Sequence, residues 1–381
     1  MRARELHFQA DRIEMVLASH KVPARVTGGT VTPRLVRFHL ATPLGTKVRQ
    51  VSGLAEEIAL SLGASTCRVY RYQGQVEVEV PRAHGQVVHL LSLCRRLAQE
   101  CAGGDSHARR GLAWTMPPIT AVLGLDQDGA PLLLRLPSPN VAHVLIAGTT
   151  GSGKTALACT VVASLAMHNH QRALQMVLID PKGRGLGPFA GLPHLIGGGQ
   201  VISDVAEAAE KLGWLVAEME QRDVEQRAEP RIVVVIDELA DLLQVGGRMV
   251  EQHLTRLTQR GREAGLHLVG CTQKPAAVVI GSLIKSNFPV RLVGAVTSPE
   301  DAKVATGLAG SGAERLLGQG DFLVIAKGQV TRMQAAYIAK DEIGTLVSDL
   351  QARTPLALSA PAATGTDGVL TRLRGRLSVV K

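Results

Sequence analysis

No CxxC pair occurs among the five cysteines, Cys67, Cys94, Cys101, Cys159 and Cys271, and their number is odd. A disulfide framework and a structural zinc are therefore not expected, and two of the five sit in apolar runs as small buried hydrophobes do. The set fits a reducing compartment. The twelve histidines show neither an HxxxH spacing nor a mixed Cys/His cluster, and no Ser-His-Asp hydrolase signal is present. Repeats of solenoid length are missing too. The opening MRARELHFQADRIEM lacks the apolar core of a signal peptide. No uncharged apolar run approaches the roughly 20 residues needed to cross a bilayer. The expectation is a cytoplasmic protein with no membrane anchor.

What is present is an ordinary globular composition, 45% hydrophobic and 20% charged over 381 residues, enough for two domains. The formal net charge is +9, so the surface as a whole attracts polyanions, nucleic acid first among them. The basic residues are spread along the chain rather than bunched into a localisation run.

Residues 1–25 read as an N-terminal helical segment, and GGTVTP (28–33) as a loop. Residues 26–110 then give strand, helix and hairpin, a small α+β domain. In VRFHL, Val36, Phe38 and Leu40 alternate with Arg37 and His39, the mark of a half-buried strand. Val51, Leu54, Ile58 and Leu62 have helical spacing, with Gly63 as the stop. CRVYRYQGQVEVEV turns at Gly74 and places Val76, Val78 and Val80 on one face. Residues 111–350 form the larger α/β domain, which opens on a hairpin turned at Asp128 and Gly129. Its apolar runs 174–180, 231–237, 266–272, 290–296 and 321–327 are separated by helical segments, which predicts a mostly parallel sheet covered on both faces. Residues 351–381, rich in Pro, Ala, Ser, Thr and Gly, read as a flexible basic tail.

The chemistry lies in HVLIAGTTGSGKTALACTVVASL (143–165): an apolar strand, a glycine turn and an expected amphipathic helix. Gly148, Gly153, Lys154 and Thr155 fit G-x-x-x-x-G-K-[ST] in the context that a phosphate loop requires. The loop residues Thr149, Thr150, Gly151 and Ser152, with Ala156 behind them, would turn backbone N–H groups onto phosphates at a helix N-terminus. Lys154 would neutralise the β and γ oxygens of ATP, and the Thr155 hydroxyl would join the Mg²⁺ shell. RIVVVIDEL supplies the partner: Asp237 for the Mg²⁺ and Glu238 to orient and deprotonate the attacking water, although an acidic residue there could instead cap the next helix. Gln273, in CTQKP at a strand tip, can reach a γ-phosphate and report its loss. Arg262 projects off the apolar stripe of the preceding helix, where it could serve as a trans finger or simply end a helix in solvent. DPKGRGLGPF, with Asp180 and Lys182 at a strand's carboxyl end, is either a ligand-binding turn or only a turn.

HVLIAGTTGSGKT, LIDPK, GLPHL, VVVIDELADLL, RLTQRGREAGLHLVGCTQKP, LIKSNFPVRL and LLGQGDFL follow one another as in the motor of the FtsK/SpoIIIE family of DNA translocases, which the chain closely resembles over about 200 residues. The region before the loop looks like that family's small α-domain. The resemblance implies a RecA-like phosphate-loop ATPase domain, a homohexameric ring with ATP and Mg²⁺ at subunit seams, and double-stranded DNA through its centre. It makes Lys154, Thr155, Asp237 and Glu238 the nucleotide and catalytic set, Gln273 the sensor and Arg262 the trans finger. Pore loops that grip the phosphate backbone would include Lys274 and Lys285.

The chain departs from the family pattern in places. Lys274 stands where arginine is common, and Pro299 where a further basic residue is frequent. Neither a membrane anchor nor a module that reads orienting sequences is expected, so a separate guiding or loading protein is a possible partner. ATP-driven translocation along duplex DNA is the leading expectation. A conjugation-type or mobile-element DNA transfer ATPase, a secretion-type ATPase and an ATP-gated DNA clamp are the alternatives.

Overall fold

Alternation along the first 87 residues builds a four-stranded antiparallel sheet. After helix α1 (Ala3–Ser19), strands β1 (Arg25–Val31), β2 (Leu35–Ala41), β3 (Arg68–Tyr72) and β4 (Gln75–Pro81) pair in the order β1-β2-β4-β3, with helices α2 (Val48–Ser52) and α3 (Ala55–Leu62) between the second and third. Successive strand side chains point to opposite faces. Val36, Phe38, Leu40, Val76, Val78 and Val80 therefore share one apolar face, onto which Ile13, Leu17, Val51 and Ile58 pack. The opposite face is polar but also covered: Arg37, Glu77 and Glu79 are buried, the Tyr70 hydroxyl donates to Glu79 Oε1 at 2.6 Å, and His39 Nδ1 lies 2.8 Å from Glu77 Oε1.

The computed structural model describes residues 3–72, 74–82, 85–102, 116–273, 286–352 and 378–380, which fall into two units divided between Val87 and Val88. The division differs from the expected one at both ends of the small domain. Residues 1–25 are no separate segment, because Ile13 and Leu17 of α1 are fully buried in its core. Residues 88–102 belong to the second unit, where Val88, Leu90, Leu93, Cys94 and Leu97 are buried with the larger core. The stretch expected as a loop at 28–33 is mostly strand: β1 pairs with β2, with a bulge between Val26 and Gly28. As an exposed edge strand it buries neither face, and so it carries no apolar alternation to read.

In the second unit, β5 (Val88–His89) and α4 (Leu90–Ala102) precede the hairpin β6 (Thr120–Asp126) and β7 (Pro131–Arg135), turned at Gly129 with φ 80. There follow β8 (Val144–Ala147), α5 (Lys154–His168), β9 (Leu174–Ile179), α6 (Val205–Glu225), β10 (Arg231–Ile236), α7 (Leu239–Arg260) and β11 (Leu266–Thr272). The remainder is β12 (Val290–Val293), α8 (Pro299–Thr306), β13 (Asp321–Ala326), β14 (Gln329–Tyr337), α9 (Lys340–Ala352) and β15 (Ser378–Val380). One mixed sheet runs β15-β7-β6-β14-β13-β12-β8-β11-β10-β9, with β5 beside β14. The segment β12-β8-β11-β10-β9 has the expected parallel run, and β15 to β7 and β5 to β14 are parallel pairs as well; β12 to β13, β13 to β14, β14 to β6 and β6 to β7 are antiparallel.

Both faces of the parallel half are covered, which is why its strands are apolar throughout. In β10, Val233 and Val235 enter the core shared with α5, while Ile232, Val234 and Ile236 enter the core shared with α6 and α7. Each such burial contributes about 1.5–3 kcal/mol before the entropy of ordering is set against it. Helix α5 differs from the amphipathic helix expected. Leu157, Ala158, Val161, Val162, Ala163, Leu165 and Ala166 are all buried, because β6, β14, β11 and α9 enclose it on several sides. Asp204 caps α6 by accepting from the Glu207 amide, and Ser298 does the same for α8, with Pro299 at its first position.

Candidate functional site

Strand register assembles the site. Ala147, the last residue of β8, is level with Thr272 of β11 and Val293 of β12, and Ile236 of β10 is level with Ile179 of β9. The residues that follow these positions, Gly148, Gln273, Asp237 and Asp180, therefore emerge together at the carboxyl edge of the parallel strands, where open α/β sheets bind ligands.

The loop from Gly148 to Lys154 is held from several sides. The Thr149 amide and hydroxyl both donate to the Ala295 carbonyl, at 2.8 and 3.0 Å. On another flank the amides of Gln319 and Gly320 donate to the carbonyls of Gly151 and Ser152 at 3.0 and 2.9 Å. Gly153 has φ 101 and lies so close to this flank that a β-carbon would meet the Gly320 nitrogen at 2.8 Å. Only glycine meets both demands. The 318–320 turn is fixed in its own right, since the buried Asp321 takes two bonds from Arg332, at 2.8 and 2.7 Å, and accepts from the Leu317 amide at 2.9 Å. The sequence held the signal for this support in LLGQGDFL, but assigned it no role.

Lys154 opens α5, and its ammonium donates to the Thr149 carbonyl at 2.9 Å. Burial lowers its pKa, against the pull of Glu238 and Asp237 nearby. The Thr155 hydroxyl donates to Asp237 Oδ1 at 2.9 Å, so these two expected metal-shell residues stand side by side. Burial raises the Asp237 pKa, the Thr155 bond opposes this and the Asp180 charge adds to it. Such a half-buried carboxylate gains from a cation. With the adjoining hydroxyl it offers the hard oxygen donors that Mg²⁺ prefers. Gly185 closes one side: a β-carbon there would meet Thr155 Cγ2 and come within 3.0 Å of Asp237 Oδ2.

Glu238 sits at the N-cap position of α7, yet its side chain makes no capping bond. It turns into the site instead, only 3% exposed, and Oε1 accepts from the Gln273 amide at 3.2 Å. The Thr150 hydroxyl donates to Gln273 Oε1 at 3.2 Å, linking the phosphate loop to the same residue. Burial raises the Glu238 pKa, with the Gln273 amide and Lys182 acting in the other direction. A buried carboxylate of raised pKa beside a phosphate loop is the kind of group that water activation requires.

One expected contributor stands apart. Arg262 lies just before β11 and donates to the Pro139 carbonyl at 3.1 Å, at the end of the sheet opposite this chain's phosphate loop. Lys274 and Lys285 lie outside the described residues. The turn left open in the sequence, 180–186, is part of the site wall. Asp180 is fully buried, and its Oδ2 accepts from the Gly185 and Leu186 amides at 2.8 and 2.9 Å.

This fold and this loop define a phosphate-loop NTPase domain following a small α+β domain. Residues 106–227 and 222–277 match the model of the FtsK/SpoIIIE family, and residues 1–82 match that of the FtsK alpha domain. The chain belongs to the FtsK/SpoIIIE family. It is 34% identical over 373 residues to the DNA translocase SftA of Bacillus subtilis (strain 168), which spans 91% of this chain and 37% of that protein. To the DNA translocase FtsK of Sporosarcina ureae it is 34% identical over 374 residues, covering 90% and 46%. The chain thus spans less than half the length of these relatives. Among solved structures, the pCW3 conjugation coupling protein TcpA in a monomer form with ATPγS aligns with TM-score 0.58 at 19% identity, over 90% of this chain and 99% of that one. The cytoplasmic domain of the Thermomonospora curvata type VII secretion ATPase EccC also gives 0.58, at 22% identity over 74% and 36%. At these identities the two likenesses concern the fold. No helix among the described residues is long and apolar enough to cross a membrane.

Proposed function

We propose that this chain is an ATP-driven motor that travels along double-stranded DNA as a homohexameric ring. The observation that best supports this is the bond from the Gln273 amide to Glu238. It ties the residue that would take a proton from the attacking water to the head of segment 274–285, where Lys274 and Lys285 would meet DNA phosphates. Occupancy of the nucleotide site and the set of that segment would then be coupled through one residue.

In this reading the loop amides and Lys154 cradle the β and γ phosphates, and Thr155 and Asp237 hold Mg²⁺. Bound Mg²⁺ would neutralise part of the triphosphate charge. Glu238 orients and deprotonates water, while Gln273, bonded to Thr150, answers to the presence of the γ-phosphate. Arg262, far from its own chain's loop, would reach the nucleotide of a neighbouring copy in the ring. Grip through lysines suits a motor that must pass over any sequence, because phosphate contacts carry no sequence information. A cytoplasmic site of action belongs to the same reading.

The test is ATP hydrolysis by the purified protein with and without duplex DNA, together with displacement of a triplex strand from that duplex. Stimulation that falls steeply with salt, accompanied by displacement, is the expected result. A hydrolysis rate indifferent to duplex of any length overturns the proposal, and stimulation without displacement reduces the motor to a clamp.

A further inference from the structure

The turn that follows β9 reaches further than a wall. Asp180 holds the amides of Gly185 and Leu186, the Gly183 amide closes back on the Asp180 carbonyl at 2.9 Å, and Gly183 has φ 63. This fixes Lys182 at the corner of a rigid turn. From there its ammonium lies 2.9 Å from Asp241 Oδ2, in the first turn of α7, and 3.6 Å from Glu238 Oε2. The other Glu238 oxygen is the one that accepts from Gln273. Both carboxylate oxygens are therefore held, one by an amide and one by a cation that is itself anchored.

We propose that Lys182 is a positioning residue for hydrolysis, which seats on Asp241 and fixes the aim of the Glu238 carboxylate. The inference rests on the reading of Glu238 as the base. A half-exposed lysine–aspartate pair contributes little to stability, and holding so long a side chain costs rotamer entropy. Its use therefore lies in what it aims. An ionised carboxylate has about four lone-pair sites, so two fixed contacts leave room for a water.

The experiment measures kcat and KM for ATP with the full chain, Mg²⁺ and duplex DNA, and the affinity of a fluorescent ATP analogue for each variant. Lys182→Met is expected to lower kcat roughly ten- to a hundredfold, the scale of a misplaced reacting group. KM and analogue affinity should stay within about twofold, as for an interaction felt in the transition state. Lys182→Arg should restore most of the loss, and Asp241→Asn should show a smaller loss in the same direction. An unchanged kcat in Lys182→Met overturns the inference alone. So does a loss that appears in KM and analogue affinity, which would make Lys182 a nucleotide contact. Absence of hydrolysis by the unsubstituted protein overturns both the functional reading and this inference.

Discussion

Acidification should loosen the parallel sheet at the end remote from the phosphate loop. His143 stands just before β8 and His267 near the start of β11, both buried. His143 Nδ1 accepts from the Leu268 amide at 3.0 Å, so a proton there breaks a strand-to-strand bond. His267 Nδ1 donates to the Ala142 carbonyl at 3.0 Å, and its Nε2 is buried with no partner among the described residues. Burial, with the neighbouring ring adding to it, pushes His143 down to about 3, and burial pushes His267 down to about 4. Both folded values lie below the unfolded value of 6.5. The neutral rings therefore contribute their full stability above that value and lose it as pH falls toward the folded pKa. Between about pH 7.5 and about pH 5 each ring loses about 2 kcal/mol, and the two together about 4 kcal/mol. Urea unfolding at a series of pH values measures this. His143→Asn keeps an acceptor for Leu268 and removes one titrating group, so it should flatten the pH dependence by about 2 kcal/mol. Parallel loss of stability in protein and variant across that range would refute the reasoning.

Replacing Glu238 by Gln should leave ATP bound and lower turnover by roughly two to four orders of magnitude, measured by steady-state hydrolysis and nucleotide retention; normal turnover would place the base elsewhere. Gly185→Ala should push Thr155 and Asp237 apart and appear as a raised Mg²⁺ requirement in a metal titration of the hydrolysis rate, since the added carbon meets both residues. An unchanged Mg²⁺ dependence would remove these two from the metal shell. Changing Lys274 and Lys285 together to Ala should weaken duplex binding, lower the DNA-stimulated rate and reduce the salt slope by about 2; untouched DNA affinity would refute their role as contacts.

The site was legible where chemistry forces residue type and spacing together. A phosphate loop needs glycines, lysine and threonine at fixed offsets after a strand, and the fold places Lys154, Thr155, Asp237, Glu238 and Gln273 around one sheet edge. The strands of the parallel half were legible too, since burial on both faces requires apolar residues at every position. Strand β1 was not, because an exposed edge makes no such demand. Strand β14 and helix α9 carry mixed patterns that follow from how they enclose α5, which local periodicity does not report.

The turn 180–186 shows why the remaining part of the site resisted a reading along the chain. Its residues belong to a turn on any local criterion, and half of their meaning lies in partners far off in sequence. Gly185 is required small by Thr155 and Asp237, and Lys182 is drawn out by Glu238 and Asp241. Those partners lie on α5, on α7 and in the link from β10 to α7, which the pairing of β9 with β10 brings alongside. A glycine that serves a distant close approach is spelled like one that serves a local turn. The two separate only when the neighbouring strand is in place, and here Gly183 is of the second kind, with φ 63, while Gly185 is of the first. Substitution distinguishes them in function: alanine at Gly183 strains a backbone angle, whereas alanine at Gly185 crowds the two residues that would carry the metal.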